Sequence, residues 1–323
     1  REPWIADPVL DGTLILTLPA LEQTKPHDVA MLSALFERYD IHGVLVHHCQ
    51  WLYDRLWWVK KYYPSTHVVD SLHILEYVMQ GGYPRQAVEH DRWIDIHHVV
   101  SPQLQHWMID TQKVDSSRVV LAPLIGLTAD ASRVEFRASR QKSPMVVSFV
   151  GRITRQKRPE VFVLLAKRMN RVSPGQFHFV MHGSGDMNGY IDGLIQHNQL
   201  QDVVEQRGDD VPVQDTDDEA DVLVVPSLNE GITLTTIEAI CAGVPVLSAD
   251  VGSQSTLVPV QGLLARTSSA ILRRGEHSLR ELYNHDERRE QLWNEELRRL
   301  QRLLHKACAE DMLRNLLYSW SKE

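Results

Sequence analysis

Two glutamates, Glu230 and Glu238, stand eight positions apart in "PSLNEGITLTTIEAICAGVPVLSAD" (226–250), with Gly231, Thr233 and Thr235 between them. Paired carboxylates can act as general acid and base, share a metal ion, or grip the hydroxyls of a ligand. Upstream, "GRITRQKRPE" (151–160) offers Gly151, Arg152 and Lys157 just ahead of Pro159. An arginine fork and a lysine point charge in one short loop suit a diphosphate. "HGSGDMNGY" sets Gly183, Gly185 and Gly189 in a GxGxxxG pattern, and Glu205 follows 22 residues after Gly183. A dinucleotide-binding unit places its ribose-binding acid near that distance. Among the histidines, His73 closes "VDSLH", and His47, His48, His97 and His98 fall at the ends of apolar runs. Adjacent histidines in a strand point to opposite faces, which makes a poor site for one metal ion. "DTDDE" (215–219), with Asp215 and Asp217, reads as a solvated acidic turn rather than a metal motif.

These residues need elements to position them. Short Val/Ile/Leu-rich runs alternate with longer amphipathic stretches, the pattern of parallel sheets covered by helices. Strands are expected over 13–18, 43–48, 66–71, 96–101 and 118–123, then over 145–151, 177–183, 221–227 and 244–250. Helices are expected over 27–40 and 102–110, and from Pro159, Met187 and Leu234. The fold class is therefore α/β, two Rossmann-like doubly wound domains over 1–130 and 143–270, joined by a polar linker at 128–144. Helices fill 271–323, where Trp293, Leu297, Leu300, Leu304 and Ala307 make a stripe suited to packing on the protein's own surface.

In such sheets ligands bind beyond the carboxyl ends of strands. The helix from Leu234 is ended by Gly243, so the N–H groups at Gly231, Ile232, Thr233, Leu234 and Thr235 form a partly positive terminus that attracts phosphate. Glu230 in the turn and Glu238 one helical turn in are on the order of 10 Å apart. That is too wide for one metal ion or a shared proton, and it matches two ends of an elongated ligand.

Composition narrows the classes. The chain has 323 residues, 43% hydrophobic and 24% charged, with a formal net charge of −8; with a pI near 6.1 it lacks the basic excess of a nucleic-acid binder. Cys49, Cys241 and Cys308 are dispersed, as in a reducing cytoplasmic setting. No apolar run is long enough for a membrane span, and the start, Arg1 rather than Met, shows no signal-peptide pattern, consistent with a trimmed N-terminus. The basic and aromatic "WLYDRLWWVKKYY" (51–63) leaves peripheral membrane or glycan contact open.

With these elements in order, the sequence resembles the retaining, nucleotide-sugar-dependent group 1 glycosyltransferases of the glycogen synthase and mannosyltransferase type, with the GT-B fold. "GRITRQK", "HGSG" and "EGITLTTIEAICAGVPVLSADVG" carry the resemblance. It implies a retaining, metal-independent hexosyltransferase that takes a nucleoside-diphosphate sugar as donor, needs no cofactor, and uses an acceptor hydroxyl of a glycan, lipid-linked sugar, natural product or protein. It implies Arg152 and Lys157 on the diphosphate and a cradle from Gly151, Gly183, Gly185 and Gly231 to Thr235. Glu230 would meet the donor sugar, Glu238 the ribose, and His73 the reacting sugar. The family's opening strand and glycine loop have no counterpart before residue 20. Two other readings stay open: an NAD(P)-dependent oxidoreductase built on Gly183, Gly185 and Glu205, and a non-catalytic nucleotide-sugar-binding protein.

Overall fold

The computed structural model describes residues 12, 14–16, 27–77, 80–124, 134–138, 144–305 and 308–320. Four strands form the first sheet: β1 (Gly43–His47), β2 (His67–Leu72), β3 (Ile96–Val99) and β4 (Val119–Leu121). They are parallel and lie in sequence order. Half of the strand expected over 13–18 falls outside the described residues, and 14–16 carry no strand.

The second sheet has six parallel strands, β5 (Met145–Val150), β6 (Phe177–His182), β7 (Val204–Arg207), β8 (Val222–Val225), β9 (Val246–Ala249) and β10 (Leu263–Leu264), in the order β10-β9-β8-β5-β6-β7. The chain starts at β5, winds outward to β7, then returns on the other side of β5 with β8. The reversal leaves a crevice between the loops after β5 and β8, where open α/β sheets bind ligands. The sequence reading misses β7 and β10 because β7 is a charged edge strand, "VEQR", and β10 has only two residues.

Burial on both faces explains the apolar runs. Phe162 packs edge to face on Phe179 and at a tilt on Phe149 in the centre of the second domain. Trp293 donates Nε1–H to Ile240 O at 2.8 Å and lies with Leu300 and Leu303 beneath the helix Leu234–Cys241. The tail stripe thus packs on the protein's own surface, with Ala307 outside the described residues. The tail helices begin at Ser268, earlier than expected. The last, Ala309–Trp320, returns to the first domain, where Trp320 stacks on His67 at 5.2 Å and leaves no room for a Cβ on Gly43.

One expectation is corrected. Residues 213–219 are a helix, Val213–Glu219, and bury Thr216 and Asp217 rather than forming a solvated turn. Within the expected linker, residues 134–138 are held by the second domain: Arg137 N–H donates to Gly243 O at 3.1 Å and Phe136 packs on Trp293. Gly243 ends its helix with φ of 79°, and a Cβ there would strike Glu135 O. Among the described residues no helix is long and apolar enough to cross a membrane.

Candidate active site

At the β5/β8 crevice the two strand-end loops meet through charge. Lys157 Nζ lies 2.6 Å from Glu230 Oε1, with side-chain exposures of 15% and 7%. These residues are 73 apart in sequence, and each neutralises the other where water is scarce. Arg158, which carries no role in the sequence reading, builds the floor: its buried guanidinium donates to Ser227 O and Arg266 O at 2.8 Å and also reaches Pro226 O. Gln156 adds a bond from Nε2 to Asn229 O at 3.0 Å. Arg152 is exposed at the mouth.

Beyond the Glu230 turn, the helix Leu234–Cys241 begins with no side-chain cap. Thr233 could cap it, but its Oγ1 instead accepts Gln254 Nε2–H at 2.8 Å. Its first N–H groups therefore stay open to an anion. Thr235 Oγ1 is buried without a hydrogen-bond partner among the described residues, a further unused donor. Glu238 is half-buried one turn on, and desolvation raises its pKa. Asp217, missed by the sequence reading, lies close enough that Glu238 adds to the burial that pushes its pKa up to about 7. Asp217 and Glu238 thus stand close together; Pro212, which starts the helix just ahead of the acidic run, was the available signal.

Glycines hold the loops against each other. A Cβ on Gly183 would strike Gly151 O, and one on Gly185 would strike Ile153 O. Ile153 N–H donates to Ser184 O at 2.9 Å across the same seam. Gly189 has open space around it. The glycine turn thus packs on the 151–157 loop, and backbone fills the space beside Gly183 and Gly185. Glu205 is spoken for by Arg207 at 2.6 Å and His178 at 3.1 Å, which removes the acid a nicotinamide dinucleotide would need.

The first domain meets this site at Gly231, where a Cβ would strike the His73 carbonyl oxygen. Asn229 Nδ2–H donates to Leu75 O at 2.8 Å beside it. His73 lies just past β2, with Nε2 3.1 Å from Ser71 Oγ and 3.3 Å from His47 Nε2. Burial, with His47, His48 and His98 adding to it, lowers its pKa to about 3. It is therefore a neutral hydrogen-bonding group near pH 7 and supplies no cation. His48 also joins this cluster, against expectation. Its φ of 47° breaks the strand alternation, so its ring stacks on His47 with centroids 4.6 Å apart. His97 and His98 do part to opposite partners: His97 Nδ1 lies 3.0 Å from Asp70, and His98 bonds Ser71 and Ala122 O.

Two parallel α/β domains that meet at the topological switch point of the second sheet make up the GT-B arrangement. Residues 144–274 match the family model "Glycosyl transferases group 1", and this domain is a group 1 glycosyl transferase domain. The chain is 29% identical over 251 residues to a D-inositol 3-phosphate glycosyltransferase of Nocardia farcinica, covering 69% of this chain and 55% of the relative. The chain thus spans little more than half the length of that relative. Among solved structures, Anabaena Alr3699/HepE in complex with UDP aligns at TM-score 0.71 and 15% identity, over 98% of this chain and 88% of that one. The pneumococcal O-GlcNAc transferase GtfA, in complex with UDP and GlcNAc, aligns at TM-score 0.70 and 16% identity, over 91% and 60%.

Proposed function

We propose that the protein is a retaining hexosyltransferase that moves a sugar from a nucleoside-diphosphate sugar to an acceptor hydroxyl and needs no metal to hold the diphosphate. The observation that carries this reading is the Lys157–Glu230 pair beside the uncapped Leu234 helix, at the crevice where β5 and β8 diverge. When donor enters, Lys157 Nζ turns from the carboxylate to the phosphates, and Glu230 is freed for hydroxyls of the sugar. Arg152, Lys157 and the N–H groups from Gly231 to Thr235 then stabilise charge developing on the departing phosphate. Glu238 accepts hydrogen bonds from ribose hydroxyls.

His73 is a neutral hydrogen-bond partner for the sugar on the opposite wall. In a same-face displacement the leaving phosphate oxygen takes the acceptor proton, so none of these groups is required as a base. The neighbours' UDP complexes make UDP-sugars the first donors to try. Three dispersed cysteines fit a cytoplasmic setting, with the acceptor hydroxyl on a glycan, lipid-linked sugar, natural product or protein. The oxidoreductase reading lacks support, because Glu205 is paired and the Gly183 turn is filled by backbone.

A thermal-shift panel of nucleoside diphosphates and nucleotide sugars tests the binding reading: one donor class raises the midpoint, and Lys157→Ala and Glu238→Ala abolish the rise. No rise with any nucleotide would sink it. Donor hydrolysis or transfer with EDTA present tests metal independence, and NMR of the anomeric proton in the product tests retention. Wild-type nucleotide binding with neither hydrolysis nor transfer across many acceptors would favour the non-catalytic reading instead.

A further inference from the structure

We propose that His47, His48 and His73 form a binding site for one divalent transition-metal ion of the zinc class, and that occupancy inhibits the enzyme by withdrawing His73 from the cleft. Each side chain offers one ring nitrogen, and the three nitrogens lie within 4.8 Å of one another. Tetrahedral zinc, with Zn–N bonds of about 2.0–2.1 Å, sets ligand nitrogens about 3.3–3.4 Å apart. The His47 Nε2 to His73 Nε2 separation of 3.3 Å already has that value. Two imidazole nitrogens facing each other so closely share one proton or one metal ion.

The third ligand, His48, is stacked between His47 and Tyr83, the latter 4.9 Å away and 6° from parallel, so its ring turns out of the His47 stack to aim a nitrogen at a shared ion. Ser71 Oγ lies 3.1 Å from this same His73 Nε2 and is bonded to His98 Nδ1 at 2.9 Å, so an ion entering between His47 and His73 takes the place of the Ser71 contact and moves the His73 proton to Nδ1. The set contains imidazoles only, which selects Zn²⁺, Cu²⁺ or Ni²⁺ over Ca²⁺ and Mg²⁺. Burial holds all three rings on the neutral, ligating side. His47 is exposed, so a fourth position faces solvent and takes water.

The site is separate from the diphosphate loop and replaces none of its cations. Its inhibitory consequence rests on the glycosyl-transfer reading, because His73 is the histidine on the wall opposite Gly231; the binding claim does not. The experiment is a Co²⁺ titration of the full chain followed by visible absorption. One equivalent of Co²⁺ is expected to give a tetrahedral band that Zn²⁺ displaces. His47→Ala and His48→Gln should each weaken uptake at least tenfold, whereas His106→Ala, an exposed histidine paired with Asp110, should leave it unchanged.

Circular dichroism and the UDP-induced thermal shift, measured on the same variants, confirm that they are folded. Zn²⁺ is then expected to suppress transfer, EDTA to restore it, and His48→Gln to raise the inhibitory Zn²⁺ concentration at least tenfold. No band, or a band that survives both His47→Ala and His48→Gln, overturns the site. A UDP shift without the band rejects the metal site alone, and the band without any nucleotide shift rejects the enzymatic reading alone. Stoichiometric uptake with undiminished transfer overturns the inhibitory role.

Discussion

Removing the charge of Lys157 while keeping its length, as Lys157→Met, strands the Glu230 carboxylate at 7% exposure with its 2.6 Å partner gone. Breaking a buried pair from one side costs about 3–5 kcal/mol. Lys157 is 15% exposed and the pair sits at a cleft that admits water, so the lower end applies, about 3 kcal/mol. For a unit of 150–250 residues each kcal/mol moves the midpoint by about 2–4 °C, giving a loss of roughly 6–12 °C. The double variant Lys157→Met/Glu230→Gln leaves no charge unpaired and should recover to within about 1 kcal/mol of wild type, a coupling of about 2 kcal/mol or more. Urea unfolding at pH 7.5 without ligand measures all four corners of this cycle. UDP-dependent stabilisation must be lost in the double variant even as stability returns. Single variants within about 0.5 kcal/mol of wild type, or strictly additive effects, would refute the claim that this pair holds the empty site together.

Three further outcomes are expected. Gly231→Ala drives a Cβ into the His73 carbonyl and should force the domain walls apart, lowering kcat/KM at least tenfold, whereas Gly189→Ala, with open space at a helix start, should be neutral or stabilise by up to about 1 kcal/mol; equal kinetics for the two variants would count against the contact. Folded Asp217 keeps its proton to about pH 7 while the unfolded chain releases it near the ordinary aspartate value of 3.8, so the native state binds more protons in that window and stability falls as pH rises through it. Asp217→Asn should therefore gain stability progressively from pH 4 to pH 8, on the order of 2–4 kcal/mol at the top, and a pH-independent difference in urea midpoints would contradict the burial argument. Trp320→Ala removes the stack on His67 and should cost about 1 kcal/mol in the first domain; an unchanged melting profile would show that the last helix does not brace it.

The sequence by itself determined the parts governed by local periodicity and by fixed chain geometry. Alternating apolar runs place eight of the ten strands, Pro159 starts one helix, Gly243 ends another, and the eight-residue step from Glu230 to Glu238 follows from one turn plus one helical turn. The group 1 character of the second domain was legible for the same reason, since its motif residues cluster within single strand-loop-helix units. Tertiary structure alone decided what depends on distant segments meeting. It paired Lys157 with Glu230 across 73 residues and gave Gly183, Gly185 and Gly231 their function as close-approach points. It buried Asp217 on a helix that composition reads as a solvated turn. The left-handed backbone of His48 turned a histidine pair expected to diverge into one side of a three-histidine cluster, with His73 supplied from just past the neighbouring strand. Charge pairing and backbone-to-backbone contact act through space, and spacing along the chain carries no record of them.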